Sequence, residues 1–166
     1  GINSIQMNSV LIGSFIIVMT GVLDDVKPLK ASVKFVGQIL AACIVVFYGQ
    51  LYMQQISAFG YTFDFGIFAR PISVFFMLGC INCINLIDGL DGLCGGISSI
   101  YFATIAIIGF ILNKFGGLDI MISVIMLGAT LGYLVHNFPP AKIYQGDAGS
   151  TFIGLMISVI MLIGFK

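Results

Sequence analysis

The chain has 166 residues, 59 % of them hydrophobic and only 8 % charged, with seven acidic side chains balancing seven basic ones. A soluble domain carries about a quarter charged residues, so a mean hydropathy of +1.12 places this chain in a bilayer. Zero net charge and the lack of a basic stripe exclude a nucleic-acid partner.

A helix needs about 20 mostly apolar residues to cross a membrane. Six stretches qualify in chain order: roughly 5–23, 32–51, 71–87, 93–113, 118–136 and 148–165. The opening Gly-Ile-Asn has neither an initiator Met nor a charged segment before an apolar core, which reads as an excised piece without a signal peptide. The first span stops at Asp24-Asp25, ahead of Pro28. After the second, residues 52–70 alternate polar and aromatic side chains around Gly60 and Gly66, the pattern of a short hairpin on the membrane surface. Asp88-Gly89, Lys114-Phe-Gly-Gly117 and Asn137-Phe-Pro-Pro140 separate the remaining spans. The fold class is therefore an all-α polytopic transmembrane bundle of about six spans.

If the spans cross in succession, the loops at 24–31, 88–92 and 137–147 emerge on one face, and five of the seven acids share it. That face also carries Lys27, Lys30, Lys34 and Lys142, whereas Arg70, Lys114 and Lys166 fall on the other, so the positive-inside bias makes it cytoplasmic. Arg70 and Lys114 are expected to snorkel at the outer surface.

The plain roles for these acids are turns and caps. Asp88-Gly89 and Asp91-Gly92 are turn signals, Asp91 stands where it can cap a helix starting near Leu93, and Asp147 can do the same for the last helix. Against this, an acid within a membrane helix costs about 3 kcal/mol, and a turn can be built from Ser or Asn instead. Five carboxylates with Asn82 and Asn85 on one side point to a cation, and oxygen-only ligands favour Mg²⁺ or Mn²⁺ over zinc. Cys80 and Cys83 form a C-x-x-C, but with no second pair and no His nearby they make no zinc site. Gly-rich helix starts at 92–98 and 146–151 are expected to aim backbone N–H groups at the same region. Together with the lysines these are the parts of a phosphoryl-transfer site.

Three segments, G-V-L-D-D-V-K (21–27), N-C-I-N-L-I-D-G-L-D-G-L-C-G-G (82–96) and P-A-K-I-Y-Q-G-D-A-G-S (140–150), resemble in order and spacing the cytoplasmic motifs of the polyprenyl-phosphate N-acetylhexosamine-1-phosphate transferases. The wording is more like the bacterial undecaprenyl-phosphate GlcNAc-1-phosphate transferases than the phospho-MurNAc-pentapeptide transferases. The resemblance implies that residues 1–166 are the transmembrane catalytic core fragment of such an enzyme, in the bacterial plasma membrane with its site on the cytoplasmic face. It implies transfer of a sugar-1-phosphate from a UDP-amino sugar to undecaprenyl phosphate, releasing UMP, with Mg²⁺ bridging the diphosphate. By motif, Asn85 and Asp147 are the implied metal ligands and Asp24 and Asp25 the catalytic acids that orient or deprotonate the lipid phosphate. Lys34, Asn82, Asp88 and Asp91 fall at substrate-binding positions. Members of that family also carry further spans, another N-terminal motif and a late His- or Arg-bearing loop, so this chain alone is expected to be inactive. Membrane lipid is an expected partner, and a homodimer is an open alternative to a monomer.

The rival class is a transporter or ion-conducting bundle, which places its ionisable groups near the midplane in broken helices. Of the remaining residues, His136 reads as a helix C-terminal histidine, and Tyr144 and Gln145 as borders of a sugar pocket. Gly13, Gly79, Gly109, Gly128 and Gly132 read as points of close helix approach, the last two as a G-x-x-x-G.

Overall fold

The computed structural model describes residues 3–58, 61–112 and 116–164. Gly60, Lys114 and Lys166, each given a role above, lie outside them. The helices are α1 (Ser4–Val26), α2 (Ala31–Cys43), α3 (Ala69–Ile87), α4 (Leu93–Ile111), α5 (Leu118–Asn137) and α6 (Gly146–Gly164). A π-turn over Ile44–Tyr48 prolongs α2, and a 3₁₀ turn over Gly66–Phe68 leads into α3. With these extensions all six are long and apolar enough to cross a membrane, the property of a multi-pass membrane protein.

Between α2 and α3 lies the hairpin expected in the 52–70 segment. Strands β1 (Gln55–Ala58) and β2 (Tyr61–Asp64) pair antiparallel, Gln55 opposite Asp64. It joins the end of α2 to the start of α3, so it sits at the opposite end of the bundle from Asp24, Asp88 and Asp147. Arg70 does not simply snorkel there: its guanidinium packs over the rings of Phe47 and Tyr52, 5.8 and 5.3 Å from their centroids, and tethers the hairpin end.

The centre of the bundle is α6. In its most apolar stretch 61 % of residues are buried, against 28–39 % for the other five helices, whose outward faces carry Phe15, Phe75, Ile100 and Ile125. The reason is side-chain size. Helices associate in lipid through close backbone approach rather than a hydrophobic drive, and α6 offers Gly149, Ser150, Thr151, Gly154 and Ser158 to α1, α3 and α5. A Cβ on Gly154 would stand 2.6 Å from Ile81 Cα, and one on Gly21 of α1 2.3 Å from Ala148 Cα.

The structure corrects several expectations. α1 continues through Asp24 and Asp25 to Val26, because both carboxylates find hydrogen-bond partners that let the helix keep winding. Gly13 and Gly109 do meet neighbours, Val45 and Ile120, but a Cβ on Gly79, Gly128 or Gly132 would meet nothing within 4 Å among the described residues. Among the described residues, then, no helix packs against the G-x-x-x-G glycines. Asp91 does not cap α4: the capping position is Gly92, at φ 74° and with no side-chain cap, while Asp91 Oδ2 accepts from the N–H of Ala141 at 3.0 Å.

Candidate active site

Asp24 stands in the last turn of α1. Its Oδ1 accepts the Leu29 N–H at 2.8 Å across the Pro28 turn, and its Oδ2 receives the Lys34 ammonium at 2.9 Å. Lys34, in the first turn of α2, also donates to Asp147 Oδ2 in the first turn of α6. Asn85, in the last turn of α3, donates its amide to Asp147 Oδ1 at 3.1 Å and to Ser150 Oγ at 2.8 Å. Four helices thus meet on Asp147. The two residues expected to share a metal ion are in direct contact.

Asp25 faces another way, its two oxygens accepting the backbone N–H groups of Asp147 and Ala148 at 2.9 and 3.2 Å. These are first-turn amides of α6, so they are not left free for a phosphate as the glycine-rich sequence suggests. Carboxylate oxygens of Asp24, Asp25 and Asp147 nevertheless all lie within 4.8 Å of one another. Lys34 neutralises one of these charges, which leaves two uncompensated. This is the single group of metal-ligating side chains among the described residues, and it contains neither Cys80 nor Cys83.

One turn deeper, Asn82 donates to Gln38 Oε1 at 2.7 Å and ties α3 to α2. Gln38 is 5 % exposed, so an amide partner is required to offset its burial. Around this pair a cleft of about 460 Å³ opens between the two helices, lined by Ser32, Lys34, Phe35, Gln38, Asn82 and Asn85.

Asp88 and Asp91 do not enter the three-carboxylate group. Asp88 ends α3 and accepts from Gln145 Nε2 at 2.9 Å; Asp91 holds Ala141. Both acids brace the 137–147 loop. Burial pushes the Asp88 carboxyl above its ordinary range; the bonds from Gln145 and Cys94 oppose this, and the nearby charge of Asp147 adds to it. Asn137, read from sequence only as a break, is 3 % exposed and pins the loop by accepting from Gly92 N at 2.9 Å and donating to Ile143 O at 2.9 Å. Sequence reasoning missed Gln38, Asn137 and Ser150; an uncharged polar residue beside an apolar run is the signal that could have found them. His136 is exposed in the last turn of α5, and Tyr144 is 75 % exposed beside Gln145.

All seven Asp stand at element ends, none at mid-helix. That is the arrangement of a surface site and not of a path through the bundle. Residues 7–165 match the family model described as Glycosyl transferase family 4. The chain belongs to that family. Its relatives include the probable undecaprenyl-phosphate N-acetylglucosaminyl 1-phosphate transferase of Bacillus subtilis, 42 % identical over 96 % of this chain and 44 % of the relative. The decaprenyl-phosphate N-acetylglucosaminephosphotransferase of Mycolicibacterium smegmatis is 36 % identical over 93 % of this chain and 40 % of its own length. The phospho-N-acetylmuramoyl-pentapeptide-transferase of Enterococcus hirae is 35 % identical over 81 % and 42 %. This family 4 chain therefore spans less than half the length of these relatives.

Proposed function

We propose that this chain forms the metal and acid half of an enzyme that moves N-acetylglucosamine-1-phosphate, or a related amino-sugar-1-phosphate, from a UDP-sugar to undecaprenyl phosphate. UMP leaves, and the product feeds cell-wall or surface-polymer synthesis. The observation that carries the reading is the junction of Asp24, Lys34, Asn85 and Asp147 from four helices at one end of the bundle.

The donor set fits a hard divalent cation: oxygen ligands only, with the Asp24 and Asp147 carboxylates beside the Asn85 amide and one negative charge of that pair left after Lys34. Asn85 and Asp147 would hold Mg²⁺, with Mn²⁺ an acceptable substitute. When bound, the ion supplies charge neutralisation for the diphosphate. The chain's own groups do the rest. Asp24, fixed by Leu29 and Lys34, orients the lipid phosphate and takes its proton if it arrives as the monoanion. A dianionic phosphate needs no strong base, so its oxygen attacks the β-phosphorus directly; the new P–O bond forms as the bond to the bridging oxygen of UMP breaks. Lys34 offsets charge on the phosphates, while Asn82, Asp88 and Asp91 contact substrate from the cleft and loop. The site faces the cytoplasm of a bacterial plasma membrane.

The test uses the full-length protein with radiolabelled UDP-GlcNAc, undecaprenyl phosphate and Mg²⁺. Labelled lipid is expected from the wild type and is lost on chelation and in Asp147→Ala and Asp24→Asn. Label that survives both substitutions removes the site assignment. Refusal of UDP-GlcNAc with turnover of UDP-MurNAc-pentapeptide changes the donor alone.

A further inference from the structure

We infer that Asp25 is a positioning residue: from the last turn of α1 it caps the first turn of α6 and thereby fixes where Asp147 stands. The inference rests on the proposed role of Asp147 in the reacting centre.

The first N–H groups of any helix have no partner within it and are usually served by the side chain just before. In α6 the preceding residue is Gln145, which is not one of the short oxygen-bearing cap residues and whose Nε2 donates to Asp88 and Cys94. The acceptors come instead from another helix, distant in sequence: Asp25 Oδ1 to Asp147 N and Asp25 Oδ2 to Ala148 N. A carboxylate is also favoured at the positive end of the α6 dipole.

Two glycines serve the same contact. Gly21, one turn earlier on α1, lets that helix lie against Ala148, where a Cβ would come within 2.3 Å of Ala148 Cα. Gly146 sits at φ 62°, and a Cβ there would stand 2.6 Å from Asp25 Oδ2. Neighbouring residues on a helix point about 100° apart, and although oxygens of Asp24 and Asp25 come within 4.8 Å of each other, the two side chains meet different partners. Asp24 turns to Lys34 and Leu29, Asp25 to the backbone of α6. The adjacent acids thus hold two jobs: one meets the reacting groups, the other holds the helix that carries Asp147.

Capping and acid chemistry separate on substitution. Asn keeps one carbonyl oxygen that can accept one of the two amide bonds, so it caps in part, but it cannot take a proton at working pH. In the full-length protein in nanodiscs, Asp25→Asn is expected to retain activity within about tenfold of wild type with an unchanged pH profile. Asp25→Ala is expected to lose about 100-fold, the scale of an ångström-sized misplacement. Hydrogen exchange gives a readout independent of turnover: the amides of Asp147 and Ala148 both exchange faster in Asp25→Ala, whereas one of the two stays protected in Asp25→Asn. An Asn variant as inactive as the Ala variant, or one that loses the acidic limb of the pH profile, overturns the inference, as does unchanged exchange in Asp25→Ala. If the wild type transfers no sugar-phosphate from any UDP-sugar supplied, the functional reading falls, and the exchange result still decides the cap.

Discussion

Asp24, Asp25 and Asp147 are chemically identical side chains, and what separates them is the partner each one meets. Asp24 and Asp147 share the Lys34 ammonium, whereas Asp25 spends both oxygens on backbone amides. Asp88 differs again, being raised by burial and held by Gln145. For a carboxyl with a raised folded value, the native state holds the proton more tightly than the unfolded chain does. Stability is then lost as pH climbs from the ordinary 3.8 through the raised value, the reverse of a salt-bridged acid. Asp88→Asn keeps the acceptor for Gln145 and deletes the titration. The difference in melting temperature, wild type minus variant, is expected to fall as pH rises from about 4 to 7. A flat or rising difference, measured in detergent across that range, would show that burial does not raise the Asp88 carboxyl above its ordinary value. Such distinctions were invisible in the sequence. The letters announced five acids on one face, but which oxygen meets an ammonium and which an amide depends on helix phase and on partners far along the chain.

Each helix was legible in outline, because long apolar runs broken by Asp-Gly, Gly-Gly and Pro-Pro leave few alternatives, and the hairpin was legible from its alternation. Which glycines carry packing was not. A sequence shows a small residue but not the surface opposite it, so Gly128-Ala-Thr-Leu-Gly132 looked like a seam and Gly154 drew no notice. Substitution separates them. In Gly154→Ala the new methyl group collides with Ile81 Cα, and α3 must move off α6; overpacking of this kind costs about 1–3 kcal/mol. Gly128→Ala meets open space and gains helix propensity, worth about 0.5–1 kcal/mol in water. Thermal unfolding in detergent is expected to fall clearly for Gly154→Ala and to hold or rise for Gly128→Ala. A destabilised Gly128→Ala would reveal a neighbour on that face of α5.

Across the bundle the two ends differ in kind. One gathers the three-carboxylate group, the loops braced by Asp88, Asp91 and Asn137, and the cations Lys27, Lys30, Lys34 and Lys142; the other carries the hairpin and, among the described residues, Arg70 alone. This asymmetry follows from the even alternation of six helices, which puts both ends of every loop on one side. The positive-inside bias predicts that the acid end is cytoplasmic, as the proposed reaction requires, since a nucleotide-sugar is supplied there and an outer site would have no donor. The orientation is open to direct measurement with single cysteines at Lys142, in the loop before α6, and Thr62, in β2. Both positions are exposed, and each is introduced after Cys43, Cys80, Cys83 and Cys94 are replaced by Ala. A membrane-impermeant maleimide applied to intact spheroplasts is expected to label the Thr62 position at once and the Lys142 position only after the membrane is opened. Labelling of the Lys142 position in intact spheroplasts would put the carboxylates outside, away from any UDP-sugar, and the proposed reaction would lose its substrate whatever the geometry of Asp24, Asn85 and Asp147.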